Sequence, residues 1–256
     1  MDASLLLGFL NWAARALAIP GVKSSWSFGK KRWWRRKFKK VFGQAEKEYF
    51  LACGMLQVNP LIRQFVRNAD PQLANYPFVK PTRLQMQFSA ERVASGSEVR
   101  ALAYIGDALK TDGGLASRVV PDDLIESRLD IDFVSFGAVS NLMTLATFEN
   151  PSNQLASFDS AAGTFVSKVD GQPLYRVPDG YDCGIILRIH PNQFPRRTWI
   201  VCAGLGEWGT SGSAWFLAYR WREIVEKLKD VDQFVCVIQV RLGQDESATL
   251  QTYASK

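Results

Sequence analysis

Apolar runs alternate with amphipathic segments along the chain from about residue 46 onward. Runs of mostly apolar residues bounded by glycine or turn residues are typical of buried strands, whereas alternating polarity is typical of a half-exposed strand. On this basis the sequence predicts strands over residues 48–53, 84–88, 130–136, 184–189, 198–202 and 234–240. Residues 164–168 and 174–177, separated by turn residues, are predicted to form an inserted β-hairpin.

Segments with helical spacing lie between these strands. They predict helices over residues 61–66, 98–109, 121–127, 142–146 and 215–229. An alternation of strands and helices is typical of an α/β fold in which right-handed crossovers build a mostly parallel sheet. The prediction is a Rossmann-like three-layer sandwich, to which the hairpin and residues 184–189 add antiparallel strands.

Charge divides the chain into two parts. The net charge is +6, but residues 1–45 contain ten Lys or Arg and one Asp, so the remaining residues carry a net charge of −3. A mildly acidic body argues against broad nucleic-acid binding by that body. We therefore predict an N-terminal arm over residues 1–45 and one α/β domain over residues 46–256.

The arm combines an apolar segment with a basic, aromatic one. Residues 4–19 are apolar but shorter than a membrane span and contain Arg15, so they predict an interfacial helix rather than a spanning one. The basic stretch follows Pro20 and Gly21. Cations interleaved with aromatic rings favour an anionic membrane surface. The predicted membrane-binding residues are Lys30, Lys31, Arg32, Trp33, Trp34, Arg35, Arg36, Lys37, Lys39 and Lys40.

Two alternatives to membrane binding by the arm stay open. Aromatic rings among cations also suit single-stranded nucleic acid, and the arm can instead pack on the body or on a partner subunit with its charges in solvent. Under the membrane hypothesis we expect a cytoplasmic protein peripheral to the inner face of the membrane. A homo-oligomer is compatible with each alternative.

The cysteines and the histidine restrict the chemistry. Cys53, Cys183, Cys202 and Cys236 each lie in an apolar run without a C-x-x-C pair, which is typical of buried, reduced thiols. His190 is the single histidine, so His-rich metal chemistry is excluded, and we predict no metal site.

A glycine motif, Gly204-x-Gly206-x-x-Gly209, lies between a predicted strand and a predicted helix. Glycines allow close approach of a phosphate, and the amides of a helix start favour an anion. Thr210 and Ser211 add hydroxyl donors. The motif lies near the C-terminal end of the chain, and no acidic residue ends the following strand, which disfavours a hydride-transferring dehydrogenase. A glycine turn with a Thr or Ser helix cap is the alternative.

Two other predicted strands end in small or polar residues. Gly54 follows the first strand, and Gly137, Ser140 and Asn141 follow the strand over residues 130–136. Ligands of open α/β sheets bind beyond the carboxyl ends of strands, so we expect these residues and the glycine motif to line one crevice. Ser140 and Asn141 also fit a simple helix N-cap.

Carboxylates near the glycine motif are the catalytic candidates. Glu207 lies inside the motif, and Asp182 precedes the strand over residues 184–189. A carboxylate can stabilise the oxocarbenium-like centre formed when a glycosidic bond breaks. Glu207 can equally be an exposed residue and Asp182 a turn residue. Trp208 is a candidate for stacking on a base, although aromatic residues near a helix start are commonly core residues.

The segments Phe133-Val-Ser-Phe-Gly-Ala-Val-Ser-Asn141 and Gly204-Leu-Gly-Glu-Trp-Gly-Thr-Ser-Gly212 resemble the strand-end motifs of Rossmann-like nucleotide-handling domains of bacterial defence and signalling. These include nucleoside deoxyribosyltransferase-like, TIR-like and SLOG-type domains. The resemblance implies a nucleotide or NAD-type ligand and cleavage of an N-glycosidic bond by a carboxylate in the pocket. The alternative function is a non-catalytic, membrane-associated scaffold or interaction protein.

Overall fold

The computed structural model describes residues 32–43, 48–57, 92–228 and 232–256. The strands are β1 (Glu48–Cys53), β2 (Leu56–Gln57), β3 (Arg92–Val93), β4 (Ala116–Pro121), β5 (Phe133–Phe136), β6 (Ala156–Asp159), β7 (Thr164–Ser167), β8 (Tyr181–Ile189), β9 (Trp199–Gly204), β10 (Phe234–Arg241) and β11 (Gln244–Ser255). The helices are α1 (32–42), α2 (Gly96–Ala108), α3 (Leu142–Glu149), α4 (Glu207–Tyr219) and α5 (Trp221–Leu228).

Seven strands form one mixed sheet in the order β11-β10-β8-β9-β5-β1-β4. The strands β4, β1, β5 and β9 pair in parallel, whereas β8, β10 and β11 pair antiparallel to their neighbours. Residues 190–198 join β8 to β9 without a crossover helix, which restricts these two strands to antiparallel pairing. The chain is thus an α/β protein whose sheet has a parallel core and an antiparallel half.

The sheet buries apolar side chains on both faces. One face packs against α1, α2, α4 and α5, through residues such as Phe42, Ile105, Phe216 and Trp221. The other face packs against α3 and against the β6–β7 hairpin, with Phe165 in its core. Because successive strand residues point to opposite faces, strands such as β9 are apolar throughout.

The predicted hairpin is present in part, and β7 has a second partner that was not predicted. Pro173 forms an antiparallel bridge with Val166, and the amide of Leu174 donates to the carbonyl of Phe165 at 2.9 Å, whereas the longer pairing of β7 is with β6. The Asp159 carboxylate accepts hydrogen bonds from the amides of Ala161 and Ala162, which builds the turn between β6 and β7. A small antiparallel hairpin sheet therefore exists between β6 and β7. The predicted turn follows β7, where the amide of Gly171 donates to the carbonyl of Ser167 at 2.9 Å.

Other boundaries also differ from the predictions. Residues 121–127 contain only the 3-10 turn Asp122–Leu124, and the predicted helix over residues 215–229 is two helices, α4 and α5, separated at Arg220. The edge strands β4 and β11 were not predicted, because their exposed, polar residues lack an apolar run. The predicted helices over residues 4–19 and 61–66 and the predicted strand over residues 84–88 lie outside the described residues.

Candidate functional site

The carboxyl ends of the four parallel strands lie at one rim of the sheet, which we call the carboxyl rim. Since β8 and β11 run in the opposite direction, their first residues lie at the same rim. The loops after β1, β5 and β9 therefore line the carboxyl rim together with the start of β8. Both bends singled out in the sequence, residues 137–141 and 204–213, begin at this rim.

The glycine motif is a strand end and a helix start rather than an extended loop. Gly204 ends β9, Gly206 is the N-cap of α4, and Gly209 lies in the first turn of that helix. A Cβ on Gly209 would lie 2.2 Å from the carbonyl oxygen of Cys183, and one on Gly204 would lie 2.1 Å from the amide of Thr210. These glycines let the backbone of α4 pack directly against β8 and β9.

The amides at the start of α4 already have an acceptor. The Asp182 carboxylate accepts hydrogen bonds from the amide of Gly206 at 3.1 Å and from the amide of Gly209 at 2.7 Å. It also accepts one from the amide of Cys183 at 2.7 Å. Asp182 is 7% exposed. A carboxylate therefore holds the position at which the motif predicts a phosphate, and a phosphate would have to displace it.

The remaining polar residues of the motif face different surroundings. Glu207 is the first residue of α4 and is exposed. The Thr210 hydroxyl donates back to the carbonyl of Gly206 at 3.3 Å, and the Ser211 hydroxyl lies 3.1 Å from the carbonyl oxygen of Glu207. Both hydroxyls therefore contact carbonyls of their own helix, and neither forms a helix cap.

A polar network beside the motif includes Arg100, Tyr104 and Asp245, which the sequence pattern did not reveal. Asp245, which is 3% exposed, accepts from the Ser211 hydroxyl at 2.5 Å, from Arg100 Nε at 2.9 Å and from the Tyr104 hydroxyl at 3.0 Å. Burial and the bond to Asp245 raise the pKa of Tyr104 to about 12. The Arg100 guanidinium lies 4.4 Å from the ring centroid of Trp208, so it covers part of that ring.

Asn141 is the N-cap of α3. Its Oδ1 accepts from the amides of Met143 at 3.0 Å and Thr144 at 3.4 Å. Its Nδ2 donates to the carbonyl of Ala52 at 2.8 Å. Asn141 is buried, so its polar atoms tie α3 to the end of β1. Ser140, next to it, is exposed at the carboxyl rim.

A buried carboxyl group, that of Glu98, lies between the loops after β1 and β5. Glu98 is 3% exposed and accepts a hydrogen bond from the amide of Gly54 at 2.7 Å. The Ser140 hydroxyl lies 3.5 Å from its second oxygen. A Cβ on Gly54 would lie 3.1 Å from Glu98 Oε1, and one on Gly137, which has a φ of 85°, would lie 3.3 Å from it. Small residues thus surround this carboxyl group.

Glu98 was not among the predicted site residues, although the sequence contains a signal for it. The pattern Ser95-x-x-Glu98 before an apolar helix is a capping box. Ser95 is the N-cap of α2, and its hydroxyl oxygen accepts from the amide of Glu98 at 3.2 Å. The Glu98 carboxyl, however, contacts Gly54 across the tertiary structure, and the sequence pattern alone does not reveal this contact.

Burial raises the pKa of Glu98 from its ordinary value of 4.5 to about 7. The hydrogen bond from Gly54 lowers the pKa and the nearby Asp122 carboxylate raises it. The Asp122 oxygens accept from the amides of Met55 at 3.3 Å and Leu142 at 2.8 Å. Burial, together with Glu98, also raises the pKa of the Cys53 thiol to about 12. At neutral pH Glu98 therefore exists in both its protonated and ionised forms.

The predicted site residues form two groups at the carboxyl rim, and the first turns of α2 contact both. The group around Glu98 contains Gly54, Gly137, Ser140 and Asn141. The group around Asp182 contains Gly204, Gly206, Trp208, Gly209, Thr210 and Ser211, with Glu207 exposed at its edge. Within α2, Glu98 contacts the first group and Arg100 contacts the second.

The basic stretch is described from residue 32 onward, so Lys30 and Lys31 lie outside the described residues. Phe38, Val41 and Phe42 of α1 are buried in the core, and Trp34 is half-buried with its ring centroid 5.6 Å from that of Trp221. The other side of α1 carries its cations. Exposed side chains on α1 are Arg32, Trp33, Arg35, Arg36, Lys39 and Lys40, and Lys37 is half-exposed.

Several kinds of site are missing from the described part of the chain. Its residues contain no group of three or more His, Cys, Asp and Glu able to hold a metal ion. They also contain no helix that is both long enough and apolar enough to cross a membrane. The four cysteines are unpaired and buried, and His190 follows the carboxyl end of β8, at the rim opposite Glu98.

Comparison of the chain with protein-family models, with curated proteins and with solved structures finds no match. The fold thus places the chain among α/β proteins with a mixed, partly parallel sheet and identifies no family. The residues at the carboxyl rim are the basis for any statement about function.

Proposed function

We propose that the carboxyl rim around Glu98 binds a nucleotide or NAD-type ligand and that Glu98 assists cleavage of its N-glycosidic bond. The observation that carries this proposal is the buried Glu98 carboxyl, which lies at the ends of two parallel strands and has a pKa of about 7. Groups whose pKa is shifted toward neutrality by burial are typical of enzymes that transfer protons.

The surroundings of Glu98 suit a sugar that carries a base. Gly54 and Gly137 allow the backbone of both loops to approach the carboxyl group closely, and the exposed Ser140 hydroxyl beside it can bind a sugar hydroxyl or a phosphate oxygen. Val139, which is 57% exposed, offers apolar contact to a base. This location, beyond the carboxyl ends of parallel strands, is where open α/β sheets bind ligands.

The chemistry depends on the protonation state of Glu98. With a nucleoside, the protonated Glu98 donates its proton to the departing base as the C–N bond breaks, and water adds to the sugar carbon and returns a proton to Glu98. With an NAD-type ligand, nicotinamide leaves without a proton, and the ionised Glu98 stabilises the positive sugar until water adds to the sugar carbon and releases one proton to solvent. Activity on nucleosides should therefore fall as the pH rises through about 7, and activity on NAD should rise.

The second candidate function is a non-catalytic scaffold. It is favoured by the Asp182 carboxylate, which already accepts hydrogen bonds from two amides of the glycine motif. It is also favoured by the close helix–strand packing, which accounts for the glycines. On this hypothesis the motif serves the fold alone, and Glu98 is a buried structural residue.

Thermal-shift measurements on the full chain with NAD, ATP and nucleosides distinguish the two functions. We expect at least one of these ligands to raise the melting temperature and Glu98→Gln to abolish release of base or nicotinamide, measured by chromatography. Glu226→Gln, which alters an exposed carboxyl on α5, is the matched control and should keep full activity. Glu207→Gln tests the other carboxylate. Stabilisation by none of the ligands would favour the scaffold.

A further inference from the structure

We propose that one side of α1 binds an anionic lipid surface through its charges, while its aromatic side stays in the protein core. The surface consists of Arg32, Trp33, Arg36 and Lys39, and we call it the basic face. Lipid binding by this face goes beyond the ligand proposed for the carboxyl rim and does not depend on it.

The two sides of α1 have different surroundings. Phe38 and Phe42 are fully buried, with their rings stacked at a centroid distance of 4.2 Å, and Phe38 also contacts Trp221 at 5.2 Å. Residues 32, 36 and 39 recur at helical spacing on the opposite side and are exposed. Because the aromatic side forms part of the core, α1 cannot insert it into a bilayer without partial unfolding.

The charge of the basic face is not neutralised within its own segment. Residues 3–45 contain no Asp or Glu. The face is therefore complementary to a surface that carries many negative charges, such as a bilayer rich in phosphatidylserine. Binding of this kind is electrostatic and weakens as salt screens it.

Lipid is favoured over single-stranded nucleic acid because α1 offers no row of exposed rings. Nucleic-acid binding of the stacking type needs several accessible aromatic faces. On α1 only Trp33, at 50% exposure, is largely accessible, and Lys37 lies over its ring at 5.4 Å from the centroid. A single indole beside cations instead suits the headgroup layer of a bilayer. The apolar sequence of residues 4–19 supplies the second signal that stable anchoring requires.

Vesicle co-sedimentation of the full chain tests the proposal. The probe is phosphatidylcholine vesicles with and without about 30% phosphatidylserine, in salt from about 0.05 M to about 0.5 M. We expect binding to the anionic vesicles alone, and the combined change Arg32→Gln, Arg36→Gln and Lys39→Gln should lower the partition coefficient about a hundredfold. Trp33→Ala should lower it roughly fivefold.

The matched control is the triple change Arg128→Gln, Arg176→Gln and Arg196→Gln. These three exposed cations belong to segments around the opposite face of the sheet, so removing them alters the net charge equally and should change partitioning less than about threefold. Thermal unfolding would verify that both triple variants fold.

Three results would each overturn the proposal. The first is unchanged partitioning of the basic-face variant, and the second is equal binding to neutral vesicles. The third is tight binding of a single-stranded oligonucleotide with no vesicle binding, which would assign the basic face to nucleic acid.

Discussion

The two halves of the carboxyl rim each contain a buried carboxyl group that accepts hydrogen bonds from backbone amides, but the two groups differ in how many amides they bind. In the antiparallel half, the Asp182 carboxylate accepts three backbone amides, from Cys183, Gly206 and Gly209. In the parallel half, the Glu98 carboxyl accepts one amide at 2.7 Å, and the Ser140 hydroxyl is 3.5 Å away. Both carboxyl groups are buried at the carboxyl rim. Asp182 lies near the start of β8 and Glu98 in the first turn of α2.

The number of amide donors distinguishes a structural carboxylate from a candidate catalytic one. Three amides donate to Asp182, so this side chain joins β8 to α4 as part of the fold. Glu98 has one amide donor, and its other hydrogen bonds come from the Cys53 thiol and the Ser140 hydroxyl. These donors do not compensate for burial, and the pKa of Glu98 rises to about 7. A glycine-rich motif is therefore a poor guide to a ligand site until the partners of its amides are known.

The largest expected effect is a loss of stability when the close packing of Gly209 against β8 is disrupted. In Gly209→Ala the new Cβ would lie 2.2 Å from the Cys183 carbonyl oxygen, a backbone atom that cannot move aside cheaply. The substitution should lower the free energy of unfolding by about 3 kcal/mol or more. Urea titration measures this loss.

Gly106→Ala is the control for this substitution. Gly106 lies within α2, where the nearest atoms to a new Cβ are 3.9 Å away. Alanine there should be neutral or should stabilise the fold by up to about 1 kcal/mol. Similar losses in both variants would contradict the packing explanation.

The next largest effect is a pH dependence of stability caused by Glu98. Its folded pKa is raised from 4.5 to about 7, so the folded state binds the proton more tightly than the unfolded state does. The Glu98 carboxyl should therefore lower stability by about 2.5 kcal/mol between about pH 5 and about pH 8. Burial lowers the pKa of the His190 imidazole from its ordinary value of 6.5, which destabilises the fold at the acidic end of this range and opposes the Glu98 effect. Urea unfolding of wild type and Glu98→Gln across this range gives the Glu98 contribution as the difference between their slopes.

Glu98→Gln should remove this contribution to the slope, since the amide oxygen can still accept from Gly54 and no charge forms at high pH. The variant should be more stable than wild type at about pH 8. Glu226→Gln should keep the wild-type slope, and identical slopes for all three proteins would show that Glu98 does not titrate near neutrality.

A smaller loss of stability is expected when Asp182, which joins β8 to α4, is changed. Asp182→Asn replaces one acceptor oxygen by an amide group that cannot accept from Gly206 or Gly209. The free energy of unfolding should fall by about 1.5 kcal/mol. Asp179 lies nearby at an exposed position, and Asp179→Asn is the control. It should change stability by about 0.5 kcal/mol at most. Equal effects of the two changes would remove Asp182 from its structural role.

The smallest effect is expected at Ser140. Its hydroxyl lowers the pKa of Glu98, so Ser140→Ala should move the midpoint of the pH-dependent stability upward. The stability itself should change by about 0.5 kcal/mol at most. The pH series of urea titrations used for Glu98→Gln would detect this shift. A downward shift would mean that the hydroxyl does not stabilise the ionised carboxylate.

Much of the fold could be predicted because buried elements leave strong patterns. The strands β1, β5, β8, β9 and β10 were predicted from apolar runs, and α2 and α3 from helical spacing. The edge strands β4 and β11 were missed because exposed residues such as Thr249 and Gln251 carry no apolar signal. The pairing of β7 with β6 was missed because local turn signals identified only its downstream neighbour, around Pro173.

The candidate site was predicted less completely. The bends at residues 137–141 and 204–213 were singled out, and both begin at the carboxyl rim. Glu98, Arg100 and Asp245 were not, because each makes its important contact with a residue far away in the chain. Charged residues usually face solvent, and the capping box that contains Glu98 indicates a helix start rather than a site.

The sequence by itself determined the α/β class, most of the buried strands and the separation of a basic stretch from an acidic body, because each depends on local periodicity or composition. Only the tertiary structure decided which carboxyl group receives three amides and which receives one. Hydrogen-bond partners and burial depend on contacts between distant segments, and these contacts decide whether a carboxyl group supports the fold or exchanges a proton near neutral pH.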